Sequence, residues 1–222
     1  MPSSTIPKLV ALLRAFRPTN NVANPYRSRG CRTNLAAYLH GLLQLPYSGH
    51  LLVGEAPGYR GCALTGIPFT SERLLARSDH PFLIGLRKSL VIHGTTSEPT
   101  ATIVWEYFGN SNKLPAFWNI FPFHPHRAGD SQSNRLPTSA EAAAGRPFLE
   151  MMLELLYPRR VVAVGRTAAK WLAKFFPTMK MDAVPHPSHG NKAAFIAGLK
   201  VLRMNERDHS HERMYRCKEK FS

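Results

Sequence analysis

Leu52-Val53-Gly54-Glu55-Ala56-Pro57-Gly58 carries a short apolar stretch into a loop of glycine and proline. The apolar part, His50 to Val53, is too short for a helix and stops at Gly54, so it predicts a buried parallel strand. The figure recurs downstream. Ala116 to Phe121 is a second strand stopped by Pro122, Arg160 to Val164 a third turned by Gly165, and Met181 to Val184 a fourth. Helical stretches lie between them: Glu98 to Phe108 entered through Pro99, a long helix from Thr138 or Ser139 to Leu156 ended by Pro158, Thr167 to Phe175, and about Lys192 to Met204. Strands alternating with helices predict an α/β fold of three layers, α/β/α, around a central four-stranded parallel sheet. In such sheets the loops leaving the strand C-termini collect at one edge and form the binding crevice. The loop after Val53, the segment Asn119 to Pro125 and the loop after Val184 are therefore expected to converge.

The 222 residues suit one domain spanning 1–222, with helices in 1–48 and a basic tail in 207–222. Ser4 or Thr5 is expected to cap a first helix with Pro7 in its first turn, and Thr33 or Asn34 a second from Leu35 to Gln44. Arg17 to Arg32, rich in Asn, Pro, Arg and Gly, reads as a basic loop, and His124 to Pro137 as a polar one. Thr70 or Ser71 caps a short helix through Leu75.

Lys and Arg number 29 against 14 Asp and Glu, a formal net charge of +15. Such an excess favours a polyanion as partner, nucleic acid being the commonest. A membrane surface fits less well, because no helix sets a sustained basic face against an apolar one, and no apolar run is long enough for a membrane span. Arg27, Arg29, Arg32 and Lys192, with Arg203, Arg207, Arg213 and Lys218, are candidates for phosphate contacts. The three cysteines, Cys31, Cys62 and Cys217, are odd in number, far apart and form no CxxC pair. That excludes a disulfide framework and a four-ligand zinc site, and points to a reduced compartment: bacterial cytosol or nucleoid, or the nucleus in a eukaryote. His124-Pro125-His126 lacks a third ligand at a useful spacing and reads as solvated or facing DNA, with no metal expected.

Four segments, in order, resemble the uracil-DNA glycosylase superfamily, nearest in pattern to its bacterial and archaeal family 4. They are Leu52 to Gly58 with Thr65-Gly66-Ile67-Pro68-Phe69, then Trp118-Asn119-Ile120-Phe121-Pro122, then Val161 to Ala169, then His186-Pro187-Ser188. The resemblance implies an enzyme of base excision repair that flips a damaged base out of DNA and hydrolyses its glycosidic bond. It implies DNA containing uracil or another damaged base as the partner, approached by a monomer. The Gly54, Ala56, Pro57 and Gly58 backbone then lines the pocket, and Phe69 stacks on the base, although Phe69 also suits a core position beside Ile67 and Leu74. Asn119 reads the uracil edge, since one amide accepts from N3–H and donates to O4. His186 supports O2 as charge develops on the leaving base, a preoriented donor there being worth roughly 3 kcal/mol. Ser188 orients that loop or binds a phosphate, and His189, Gly190, Asn191 and Lys192 lie where the family inserts residues into the stack.

The sequence departs from the family pattern in three places. The best-known branch has an acid at the position of Ala56; here Glu55 either holds the water, steadies the sugar cation, or caps the amides of its own loop. The tyrosine that excludes thymine is replaced by Gly58, so hypoxanthine, xanthine or a mismatched base becomes an alternative substrate. Family 4 carries four cysteines for an iron–sulfur cluster, whereas three in total cannot supply them, so no such cofactor is expected. The matched motifs contain no lysine for a Schiff base, which argues for a monofunctional enzyme. A DNA-binding protein of the same fold without catalysis is the reading from another class.

Overall fold

The structure, a computed structural model, describes residues 2–44, 47–109, 111, 113–188 and 190–202. The central sheet is built from β2 (His50–Gly54), β3 (Ala116–Asn119), β5 (Arg160–Val164) and β6 (Met181–Val184) in the order β3-β2-β5-β6. All neighbouring pairs are parallel. Buried on nearly every residue, β2, β3 and β5 are apolar runs rather than alternating strands, as a sheet covered on both faces requires. Around them pack α1 (Pro2–Ala15), α2 (Arg29–Gln44) with the short α5 (Pro81–Leu86) against it, α6 (Pro99–Phe108), α7 (Ser139–Leu156), α8 (Arg166–Phe175) and a helix over 192–202, here α9. The expected α/β/α architecture is thus present, with β2, β5 and β6 within a residue of where the sequence put them, while β3 ends at Asn119 rather than Phe121.

The helix starts follow local chemistry. Thr138 and Glu141 form a reciprocal capping box at the head of α7. Ser71 caps α4 (Glu72–Arg77) by accepting from the Leu74 N–H, and Glu98 caps α6 with both carboxylate oxygens. The edge strand β3 is sealed by α2: the Tyr38 hydroxyl accepts the Phe117 N–H at 2.8 Å, filling a donor that a sheet edge would otherwise expose.

The N-terminal region corrects several expectations. α1 begins at Pro2, so Pro7 falls inside the helix rather than in its first turn. α2 begins at Arg29, not after Thr33 or Asn34. Asn34 is no cap: its buried amide donates to the Thr65 and Val91 carbonyls and accepts from the Val91 N–H, tying α2 to two distant loops. The two segments read as loops each contain a strand, because β1 (Val22–Ala23) pairs antiparallel with β4 (His124–Pro125). The tail over 207–222, along with Arg203, Arg207, Arg213 and Lys218, lies outside the described residues. No helix among the described residues is long and apolar enough to cross a membrane.

Candidate active site

In register, Gly54 at the end of β2 lies beside Asn119 at the end of β3. The pairing continues past both strands, with Ile120 N–H donating to Gly54 O at 2.9 Å and Phe121 N–H to Glu55 O at 3.0 Å. Gly54 has no room for a side chain. A Cβ there would sit 2.6 Å from the Phe69 ring and 2.8 Å from Asn119 Oδ1. Only glycine lets the aromatic ring and the amide meet at this point, so three residues far apart in sequence share one small floor.

Phe69 reaches that floor in a conformation an aromatic residue seldom adopts, with φ at 55°. The surrounding turn holds it there. The Trp105 indole N–H of α6 donates to the Phe69 carbonyl at 2.9 Å. The Thr65 and Thr70 hydroxyls lie 2.8 Å apart, and both serve the Ile67 backbone between them. Local strain fixed by such a network is what functional turns display. Asn119 is 4% exposed. Among the described residues no hydrogen bond reaches its side-chain amide, yet neither polar atom is sealed from solvent. A nearly buried, unanswered donor–acceptor pair suits an incoming group with the complementary edge.

Glu55 follows Gly54 and turns the other way. Its carboxylate faces the Thr167 side chain in the first turn of α8. Glu55 therefore spans the gap between the loop after β2 and the loop after β5. The chain leaves β2 toward β3 on one side and returns to β5 and β6 on the other, so this gap is the switch point of the sheet. Burial pushes the Glu55 carboxyl above its ordinary value, with the Thr167 side chain opposing. Among the described residues its carboxylate partner is Thr167, not an amide of its own loop.

His186 comes from the loop after β6. It rests on Gly165, whose φ of 90° brings the backbone under the His186 Cβ. The His186 Nδ1 lies 2.8 Å from Ser188 Oγ and accepts the Ser188 N–H at 3.3 Å. With Nδ1 accepting, a neutral ring carries its proton on Nε2 and presents that N–H as a donor. Ser188 thus orients the histidine.

Other predicted residues fall outside this floor. Ala56 packs against the core, and the Pro57 carbonyl faces His124 Nδ1 at 2.8 Å. Gly58 starts the turn into α3 (Cys62–Thr65), its carbonyl accepting from Gly61 and Ala63 N–H. Gly190 and Asn191 form the turn that opens α9, with the Asn191 carbonyl taking the Phe195 N–H. Lys192 pairs with Glu106 at 2.6 Å on the surface. His189 lies outside the described residues.

His124 corrects a further expectation. It is not solvated: it is 2% exposed, wedged between the Pro57 and Ser131 carbonyls, and supports the first loop from behind. Sequence reading missed this role and those of Thr167, Trp105 and Asn134, whose side-chain oxygen accepts the Tyr59 N–H. A threonine in the first turn after Gly165 was the only local hint. The Cys31 and Cys62 thiols are both buried and free, and burial raises both. Among the described residues no group of three or more His, Cys, Asp or Glu is arranged to hold a metal.

An amide and an aromatic ring thus lie side by side at the strand C-terminal edge of a parallel α/β sheet, the edge at which such folds bind ligands. The model of the Uracil DNA glycosylase superfamily matches residues 41–203, and the chain belongs to that superfamily. Its members' chemistry makes it a DNA glycosylase, a hydrolase of N-glycosyl bonds acting in base excision repair. Among solved structures, one described as the crystal structure of wild-type Pedobacter heparinus SMUG2 has the same fold. It matches with a TM-score of 0.66 at 19% identity, over 90% of this chain and 98% of its own. No curated protein matches the chain by sequence.

Proposed function

We propose that the chain removes uracil from DNA as a monofunctional glycosylase, acting as a monomer on a flipped nucleotide. The observation that carries this reading is the Asn119 amide, nearly buried, unpartnered among the described residues, and held against the Phe69 ring by Gly54. Phe69 supplies the face on which the base stacks. With Oδ1 on the Gly54 side, Asn119 accepts from uracil N3–H and donates to O4, whereas cytosine offers the reverse pattern to an amide in that orientation.

The C1′–N1 bond then breaks with its electron pair on the base. Charge spreads to O2, where the His186 Nε2–H donates to it. Glu55, ionised, stands beside the developing sugar cation and takes the proton of the water that adds to C1′. The base leaves as an anion and is reprotonated by solvent. The absence of lysine from the four motifs argues against a Schiff base and strand cleavage. Gly190, Asn191 and Lys192, with His189, are proposed to contact the strand; Lys192 would exchange Glu106 for a phosphate.

A second reading keeps this chemistry and widens the base. Hypoxanthine presents N1–H and O6 in the same donor–acceptor order as uracil N3–H and O4. Gly58 leaves space, since a Cβ there meets nothing closer than Asn134 at 3.8 Å. Single- and double-stranded oligonucleotides carrying uracil, followed by alkali cleavage of abasic sites, test the main reading. Product from uracil substrates is expected, and no product at excess enzyme refutes it.

A further inference from the structure

At the N-terminal side of the fold, Arg14, Arg17 and Arg27 open onto one cleft of about 600 Å³, floored by Ala11 and Ala15 of α1. All three arginines are exposed. Among the described residues none has an acidic partner, and no acid lines the cleft. Among the described residues, ion pairs hold Arg135 to Glu141, Arg146 to Glu150, Arg160 to Asp182 and Lys192 to Glu106, and none of these acids reaches the cleft. Unanswered guanidinium groups on a concave surface match phosphate oxygens, which planar five-donor forks bind well.

The position of the cleft says which phosphates. The start of α2, beside Arg27, lies on the turn that carries Phe69, at the edge of the sheet where Gly54 and Asn119 lie. Two contacts confirm that placement: Tyr26 donates its hydroxyl to Gly66 O at 3.2 Å, and the Cys31 backbone packs on Gly66, in the turn that carries Phe69. The α1 end is fixed to the same edge. Asn24 donates to the Leu13 and Phe16 carbonyls, β1 pairs with β4, and the His124 of β4 braces the Pro57 carbonyl. The cleft therefore flanks the catalytic edge on rigid supports. It also lies wholly ahead of residues 41–203, the part matched by the superfamily model.

We infer that Arg14, Arg17 and Arg27 form a binding site for the DNA backbone, gripping phosphates to one side of the flipped nucleotide. This rests on DNA being the partner but not on uracil being the base. Affinity for an undamaged duplex, measured for the wild-type chain from 50 to 200 mM salt, is compared with that of the triple variant Arg14→Gln/Arg17→Gln/Arg27→Gln. Three lost phosphate contacts should flatten the slope of log K against log salt by about 2.7, and the single Arg17→Gln by about 0.9. Unchanged melting temperatures establish that the exposed substitutions leave the fold intact. The triple variant should also lower kcat/KM on a long duplex at least tenfold, with no loss on a three-nucleotide strand too short to reach the cleft. Unaltered slopes in both variants would overturn the inference. If no base is released from any substrate, the glycosylase reading fails while the salt slopes still decide the cleft.

Discussion

Asn119 and Glu55 are neighbours across a strand pair, yet their environments ask for different tests. The Asn119 amide has no hydrogen bond to lose among the described residues, so Asn119→Ala should cost about 1 kcal/mol, the ordinary size for a point mutant. Its rate of base release should fall about 100-fold, and that of His186→Ala similarly, as expected for one transition-state hydrogen bond. Full activity in either variant removes that residue from the account. Glu55 is tested by pH. Its carboxyl is raised above 4.5, chiefly by burial, so an acid limb in kcat/KM should lie above pH 4.5 and vanish in Glu55→Gln. The stability sign follows the same shift. A carboxyl raised in the folded state favours folding below its unfolded value, and that contribution is lost as pH rises through the folded value. Denaturant titrations across that window should show wild type losing stability relative to Glu55→Gln, and the opposite trend would mean the carboxylate is held ionised. At this scale Asn119 and His186 were legible because short motifs surround them. Thr167 and Trp105 were not, since each acts on a residue far away in sequence and carries no motif of its own.

At the scale of elements, the floor depends on how closely α7 approaches β3. A Cβ on Gly145 would overlap the Ile120 carbonyl oxygen and sit 2.9 Å from Phe121 Cα, on the backbone that directly follows Asn119. Gly145→Ala should therefore cost about 1–3 kcal/mol, read as a lowered melting temperature. It should also slow base release by moving the strand end, and a variant with wild-type melting and rate would show that α7 does not set that position. The same scale explains which elements the sequence revealed. β2 and β5 are apolar runs closed by Gly54 and Gly165, β6 is a short half-exposed strand ended before Pro185, and the caps Ser71, Glu98 and Thr138 are local signals. The start of α2 was hidden because Asn34, a residue that usually caps, uses its amide on Thr65 and Val91 instead. β1 and β4 were invisible because each is two residues long and finds its partner about a hundred residues away.

For the whole molecule, the parallel sheet gathers its strand ends at one edge, and the net charge of +15 gives that edge a reason to meet DNA. The arginine cleft beside it gives part of that charge a location. Placing the site at the switch point was legible once strands and helices were seen to alternate; the base preference is a matter of a few hydrogen bonds and of space near Gly58, which no pattern of periodicity encodes. The measurement that bears most directly on the central claim is a base-release panel on duplexes carrying uracil, hypoxanthine, xanthine or thymine, run with wild type and with Asn119→Ala. The account predicts release of uracil ahead of the others by the wild-type chain, and its loss in Asn119→Ala while duplex binding persists. Release of no base by wild type, or uracil release indifferent to Asn119→Ala, would contradict it.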